Sequence, residues 1–265
     1  MEPVVKVEVK DGIGWITMNR PQALNALNDD VRAGLLKASA QLEHDAAARC
    51  VVVRGTGDHF MAGGDIKRFH DRVTTDQAGH AAQMEAGVNA IHAVNYAFRR
   101  MAKPTICAIQ GAAAGYGLSL ALTTDLAIAA DDAFFTLAYA NIGFSADGGS
   151  TYLLPRVVGT RKALEIALLA ERFNAQKALE LGIVNWVVPR AQLEAETLKL
   201  ATRLANGPTV AYGQVKRLIH NSLQDNFDSQ LHREAEAMAI CAATADHREG
   251  IVAFVEKRKP VFRGR

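Results

Sequence analysis

Residues 106–130, ICAIQGAAAGYGLSLALTTDLAIAA, restrict the fold more than any other stretch of this chain. An apolar, partly β-branched run at 106–109 lies between Pro104 and Gly111 and reads as a short buried strand. Residues 111–117 then carry almost no side-chain bulk, so their backbone can touch a ligand directly. The pattern Leu118, Leu120, Ala121, Leu122 predicts a buried helix from about Tyr116, and residues 126–130 return as a strand. A tight Gly/Ala turn that feeds a helix aims free N–H groups and the positive end of the helix dipole at whatever lies before it, which makes an anion site. The same small residues would also serve to pack a helix closely on a sheet. No Gly-Lys-Ser/Thr follows, and the third glycine of a dinucleotide fingerprint is missing, so neither nucleotide motif applies.

A second stretch repeats the pattern. Residues 51–54 predict a strand, and after Gly55-Thr56-Gly57 comes His59-Phe60-Met61-Ala62-Gly63-Gly64-Asp65-Ile66. Two bare turns, each after an apolar strand and about fifty residues apart, could aim two N–H groups at one oxygen.

Around these turns the chain alternates strands and helices. Val5, Val7 and Val9 alternate with charged residues, and 13–18 follows after Asp11-Gly12, which predicts a hairpin. Asn28 is placed to cap a helix over 31–42. Residues 67–80 are polar and without clear period, and predict a mobile loop or frayed helix; helical patterning resumes over 82–101. Thr160 and Asn174 read as N-caps, and Gly182 as a C-cap before a strand at 183–188. Strand, turn and helix recur to about residue 190, and four helices follow, at 191–206, 210–222, 227–243 and 248–257. Their apolar stripes are too rich for lone surface helices and need a partner surface.

A net charge of +2 argues for neither nucleic acid nor a membrane as partner. No apolar run approaches ~20 residues, the length of a membrane-spanning helix. The N-terminus enters a strand pattern at once, so no signal peptide is expected, and Cys50, Cys107 and Cys241 stand singly in apolar contexts. A cytoplasmic, reducing setting is the expectation. The eight histidines show no metal-ligand spacing, so no metal is expected and all read as surface or packing residues.

Several segments in order resemble the enoyl-CoA hydratase/isomerase (crotonase) superfamily: Asn19-Arg20-Pro21 with Asn25-Ala26-Leu27-Asn28, Ala62-Gly63-Gly64-Asp65, residues 111–125, Asp147-Gly148-Gly149-Ser150, Leu154-Pro155-Arg156, and ALELGIV at 178–184. The likeness is greatest to the phenylacetate-type isomerases, through DGGSTYLLPRVVG and REGIVAFVEKRKPVF. The resemblance implies an α/β fold: a spiral of ββα units over 1–190 holding an acyl-CoA site, then a helical region over 191–265 that joins subunits into trimers or pairs of trimers. It implies no cofactor beyond the coenzyme A carried by the substrate. Gly64 and Tyr116 would supply the N–H groups for the thioester oxygen. Arg20, Ala23 and Leu24 would face the CoA, although Arg20 could equally be a solvated surface charge. Ala62, Asp65, Ile66, Gly111, Ser119 and Tyr139 would line the substrate; the basic tail by its residues reads as solvated, and the resemblance adds the alternative that Lys257 or Phe262 reaches a neighbour's CoA phosphates.

The family's hydratases use two glutamates, at positions held here by Ser119 and Tyr139. Adding water needs a base for the water and an acid for the α-carbon, each worth about 10²- to 10⁴-fold, and neither residue supplies one unaided. Asp147 matches the catalytic aspartate of the superfamily's isomerases and of its 4-chlorobenzoyl-CoA dehalogenase. By residue type alone it would be a turn aspartate. Ala146 where proline is usual would loosen its loop, and Tyr116 where hydratases have glycine would narrow the pocket. Double-bond isomerisation with Asp147 as the single acid and base is therefore the expected chemistry. The alternatives are a hydratase, a nucleophilic Asp147 with His92 as base, and an idle acyl-CoA-binding subunit.

Overall fold

A computed structural model describes residues 2–265. The chain begins with the predicted hairpin: β1 (Val5–Lys10) pairs antiparallel with β2 (Ile13–Met18), and Asp11 and Gly12 take the left-handed backbone of the turn. Helix α1 (Asp29–His44) follows, capped by the Asn28 side chain, which accepts from Val31 N. Strands β3 (Cys50–Gly55), β4 (Thr105–Ile109), β6 (Leu126–Ala130) and β9 (Trp186–Val188) then add in parallel, giving a six-stranded sheet in the order β1-β2-β3-β4-β6-β9.

Parallel strands buried on both faces read as continuous apolar runs, and here the two faces alternate as a strand must. Ile16, Met18, Val51, Val53, Cys107 and Ile109 enter the main core, whereas Trp15, Cys50, Val52, Ile106 and Ala108 face helix α8 (Leu193–Ala205). The N-terminal helix of the predicted helical region thus shares a core with the sheet.

The spiral arises because strands leave this sheet for a second one. After β4 the chain bends at Gln110-Gly111 into β5 (Ala112–Ala114), and after β6 it bends into β7 (Phe134–Thr136); β5, β7 and β8 (Phe173–Asn174) form a three-stranded sheet. Met61 bridges to Ala113, so the segment after β3 makes the same crossing. Each crossing is followed by helix: α2 (Ile66–Thr75) and α3 (Gln77–Arg100), then α4 (Tyr116–Thr123), then α5 (Ser150–Val158) and α6 (Thr160–Leu169). Helix α7 (Ala175–Glu180) precedes β9, and α9 (Thr209–Ser222), α10 (Phe227–Ala242) and α11 (Ala245–Val255) complete the chain. Among the described residues, no helix is long and apolar enough to cross a membrane.

Three local expectations are corrected. Residues 67–80 are a helix and the start of another, because Asp65 caps α2, Asp76 caps α3, and Arg68 and Arg72 both pair with Asp29. The apolar signal there, Ile66 and Phe69, is too sparse to show as a period. Thr160 is the first residue of α6 rather than its cap; Gly159, at φ +79°, makes the break from α5. Only Trp186–Val188 of the strand expected at 183–188 is paired, while Asn185 exchanges backbone and side-chain bonds with Ala127.

Asn25 holds the segment before α1 against the end of β3. Fully buried, it donates to the Thr56 and His59 carbonyls at 2.9 and 2.7 Å and accepts from Arg20 N at 2.8 Å. Asn25→Ala strands these groups, so a loss of about 2–4 kcal/mol is expected. Thermal unfolding reads it; an unchanged Tm contradicts the role.

Candidate active site

The two glycine-rich turns meet. Met61 N donates to Ala112 O at 2.9 Å and Ala114 N to Met61 O at 3.0 Å, which pins one turn to the other. A Cβ on Gly63 (φ +91°) would lie 3.0 Å from the Ala114 carbonyl oxygen, and one on Gly115 (φ +50°) only 3.6 Å from Gly63 Cα. Only glycine fits two such backbones at this approach. Behind them, Leu27 N donates to Gly63 O at 2.7 Å and Asp65 N to Leu27 O at 3.1 Å. Among the described residues, the N–H groups of Gly64 and Tyr116 donate to no partner, and both residues line one cavity of about 1030 Å³. Tyr116 opens α4, where N–H groups have no intrahelical acceptor.

Asp147 lines the same cavity. Its loop turns through Gly148 and Gly149, both at positive φ, into α5. The Asp147 carbonyl accepts from Ser119 Oγ at 2.9 Å and Ser150 Oγ at 2.8 Å, and Asn95 Nδ2 donates to the Gly148 carbonyl at 3.0 Å. This support, and not a proline at 146, holds the loop. Tyr116 also works differently from the sequence expectation. Its ring is 2% exposed and lies beneath Gly148, with its hydroxyl donating to Asn95 Oδ1 at 3.3 Å, so it underpins the loop more than it narrows the opening.

Two hydroxyls, of Ser119 and Tyr139, stand beside Asp147. Tyr139 Oη donates to Asp147 Oδ1 at 2.6 Å, and Ser119 Oγ lies 3.3 Å from the same phenol oxygen. Burial raises the Asp147 carboxyl above its ordinary value, while the Tyr139 bond and the charge of His92 pull the other way. Burial and the neighbouring Asp147 carboxylate keep the Tyr139 phenol firmly protonated.

Of the predicted residues, Gly64, Tyr116, Asp147, Ala62, Ile66 and Tyr139 line the cavity, with Ser119 buried directly behind. Asp65 supports it from outside the lining, as cap of α2 and partner of Arg20 at 3.3 Å. That ion pair, with a bond from Arg20 to the Ala26 carbonyl, makes Arg20 a fixed strut rather than a solvated charge. Ala23 and Leu24 do not line the cavity, although Leu24 O accepts from Ala62 N. Gly111 belongs to the sheet-to-sheet bend: a Cβ there would lie 2.1 Å from Asp58 O. Lys257 and Phe262 are away from their own chain's cavity, Lys257 just past α11 and Phe262 beside Gly250.

The helix after residues 67–80, which the resemblance implies as a pocket wall, is α3, and it supplies one. Met84, Val88, His92, Asn95, Tyr96, Arg99 and Arg100 repeat at helical spacing along one stripe that lines the cavity. His92 and His220 are therefore cavity residues, not merely surface or packing ones. The helix was legible as a wall; which of its side chains line the cavity was not. Among the described residues, no three His, Cys, Asp or Glu side chains converge as metal ligands.

Residues 8–265 match the profile of the Enoyl-CoA hydratase/isomerase family. The 1,2-epoxyphenylacetyl-CoA isomerase of Escherichia coli K12 is 38% identical over 260 residues, covering 97% of each chain. The trans-2-decenoyl-[acyl-carrier-protein] isomerase of Streptococcus mutans is 32% identical over 257 residues, again 97% of each. The crystal structure of an enoyl-CoA hydratase from Bacillus anthracis superposes with a TM-score of 0.91 at 30% identity, over 99% of this chain and 100% of the other.

A carboxyl raised on folding makes the native state hold its proton more tightly than the unfolded chain, so stability falls as pH rises from the unfolded value to the folded one. Asp147→Asn removes that penalty while keeping an acceptor for Tyr139. The variant is expected to melt a few degrees higher than wild type at pH 7, a shift of the size about 1 kcal/mol produces. The gain should shrink as pH falls and vanish below about pH 3, where both states of the wild type are largely protonated; a lower Tm at pH 7 contradicts this.

Proposed function

The chain belongs to the enoyl-CoA hydratase/isomerase family, and from that premise we propose that it shifts a double bond in an acyl-CoA thioester, with Asp147 as its one acid and base. The observation that carries the reading is the placement of one burial-raised carboxyl in the same cavity as two unpartnered N–H groups from converging turns. The thioester oxygen accepts from Gly64 N and Tyr116 N, which stabilise the negative charge that collects on it when a proton leaves the acyl chain. One such donor is worth about 3–4 kcal/mol in the transition state. Asp147 takes the proton from one carbon and returns it to another, so the carboxylate is regenerated and no water is consumed. Tyr139, donating at 2.6 Å, orients Oδ1 and limits how far burial can raise the carboxyl.

Hydratase chemistry, which the names of several relatives carry, is the second reading. It requires a second proton-transferring group, and the hydroxyls of Ser119 and Tyr139 occupy the two positions where that chemistry has its glutamates. The large apolar side chains left exposed on the last three helices, among them Phe227, Met238, Ile251 and Phe254, support a homo-oligomer, trimer or pair of trimers. Light scattering that returns a monomer mass contradicts that part.

Asp147→Asn is expected to lower the rate of double-bond migration about 10²- to 10⁴-fold with acyl-CoA binding retained. Tyr139→Phe removes a bond that favours the charged carboxylate, so the acid limb of kcat/KM should move to higher pH. Unchanged turnover in the first variant, or an acid limb moved to lower pH in the second, overturns the assignment. Water uptake into a 2-enoyl-CoA at a rate untouched by Asp147→Asn would favour the hydratase, and binding without any turnover an idle subunit.

A further inference from the structure

The stripe of α3 that lines the cavity changes character along its length, from Met84 and Val88 to Arg99 and Arg100. Asn95, which holds the Gly148 carbonyl beside Asp147, lies four residues before Arg99, or ~6 Å along the helix axis. Beyond this stripe the lining includes the polar residues His220 and Asn221 of α9, Gln224 just past it, Tyr152 of α5 and Thr123 at the end of α4, and of these Tyr152 and His220 lie close enough to interact with the Arg99 charge.

Arg99 is half-buried there, and among the described residues its guanidinium donates no hydrogen bond and meets no carboxylate within 4.0 Å. That is unusual, because a guanidinium carries five donors and a charge withdrawn from water is ordinarily paired. Burial is the main influence on it and lowers its proton affinity. The surrounding charges do not cancel it. Asp125, the carboxylate that acts on Arg99, is already taken: Lys216 Nζ lies 2.8 Å from its Oδ2, Thr105 donates to the same oxygen through N and Oγ1, and His220 Nε2 is 3.8 Å from Oδ1. His220 is held down to about 4 by burial and by Arg99, so it is neutral near pH 7. Arg156 stacks on the Tyr152 ring at 3.5 Å and adds a further positive charge, as does Arg100. One half-buried fork of donors with a net positive surround is therefore left open to the cavity.

We propose that the cavity accepts acyl-CoA esters whose acyl chain ends in a carboxylate, and that Arg99 receives that carboxylate. The inference rests on the acyl-CoA reading of the same cavity and names the class of ester within it. A planar guanidinium and a carboxylate match in two parallel hydrogen bonds, and the apolar stem between thioester and carboxylate would pass Val88 and Tyr96. Asn221 lines the same cavity, and Gln224 Nε2 donates to Tyr152 Oη at 2.9 Å.

The test measures binding of saturated esters, which need no turnover, to the protein as it assembles in solution. Adipoyl-, suberoyl- and sebacoyl-CoA are compared by calorimetry with hexanoyl-, octanoyl- and decanoyl-CoA, and with free CoA. At least one carboxyl-ended ester should bind about 10- to 100-fold more tightly than its methyl-ended counterpart. Arg99→Gln should abolish the preference by weakening the carboxyl-ended esters alone, and Arg99→Lys should restore part of it. Equal affinity within every pair overturns the proposal and leaves the isomerase reading intact. A loss in Arg99→Gln shared equally by free CoA and all esters also overturns it, because the guanidinium would then serve the CoA phosphates. Failure of every ester to bind overturns the acyl-CoA reading and this inference with it. If the Gln variant does not fold, the wild-type comparison decides by itself.

Discussion

The contact between Gly63 and the Ala114–Gly115 backbone is the constraint on which the rest of the site depends. Parallel pairing of β3 with β4, Val53 opposite Cys107, brings two consecutive turns of the spiral side by side. The chain leaves the sheet at the same end of both strands, the end at which open α/β sheets form their ligand crevices. Bonds between Met61 and the β5 segment then draw the turns together, with both glycines at positive φ and a Cβ on Gly63 only 3.0 Å from the Ala114 carbonyl oxygen. Two N–H groups are left facing a cavity because the neighbouring carbonyls and amides are already spent on each other. A side chain at Gly63 would press on the Ala114 carbonyl, and one at Gly115 would strain a backbone held at φ +50°, whatever happened to Asp147.

Around that contact the protein holds an acidic group where water is scarce. The cost of burying the Asp147 carboxyl is offset by a set of polar contacts drawn from α3, α4 and the loop after β7: Asn95, Ser119, Tyr116 and Tyr139. Each member bonds at least one other, so the loop is fixed with only a single 3-10 turn, Ala140–Ile142, inside it. Such networks are firm only when every buried group is satisfied, and here the Gly148 carbonyl, the Asp147 carbonyl and the Asp147 carboxylate all have donors. A carboxyl kept partly desolvated yet hydrogen-bonded is suited to exchanging protons near neutral pH. The Asp125 cluster is built the other way: its carboxylate is consumed by Lys216 and Thr105, and the unpaired charge at that end belongs to Arg99.

Much of the strand and helix order was legible because it is local chemistry. The β1–β2 hairpin followed from alternation and Asp11-Gly12, the start of α1 from Asn28, and α7 from Asn174 and Gly182. Helix α2 was not, because its apolar stripe is only Ile66, Phe69 and Val73, while Phe69 packs on Phe144 and Arg68 and Arg72 pair with Asp29, partners that are remote in sequence. The ion pair of Arg20 with Asp65 was not legible either, its partner being remote in sequence. Gly111 looked like a ligand contact because bareness alone does not say which of its neighbours comes close, and in the fold that neighbour is Asp58.

By itself the sequence determined the family, the spiral of strand-to-turn crossings and the identity of one candidate carboxylate, since glycine spacing, apolar runs and motif order are properties of neighbours along the chain. Only the tertiary structure decided that Tyr139 donates to that carboxylate, that the Tyr116 ring lies under its loop, and that Arg99 ends a cavity with no acceptor of its own. These are facts about distance and desolvation between groups from different helices and loops. No periodicity encodes them, because they exist only once the helices have packed and water has been excluded.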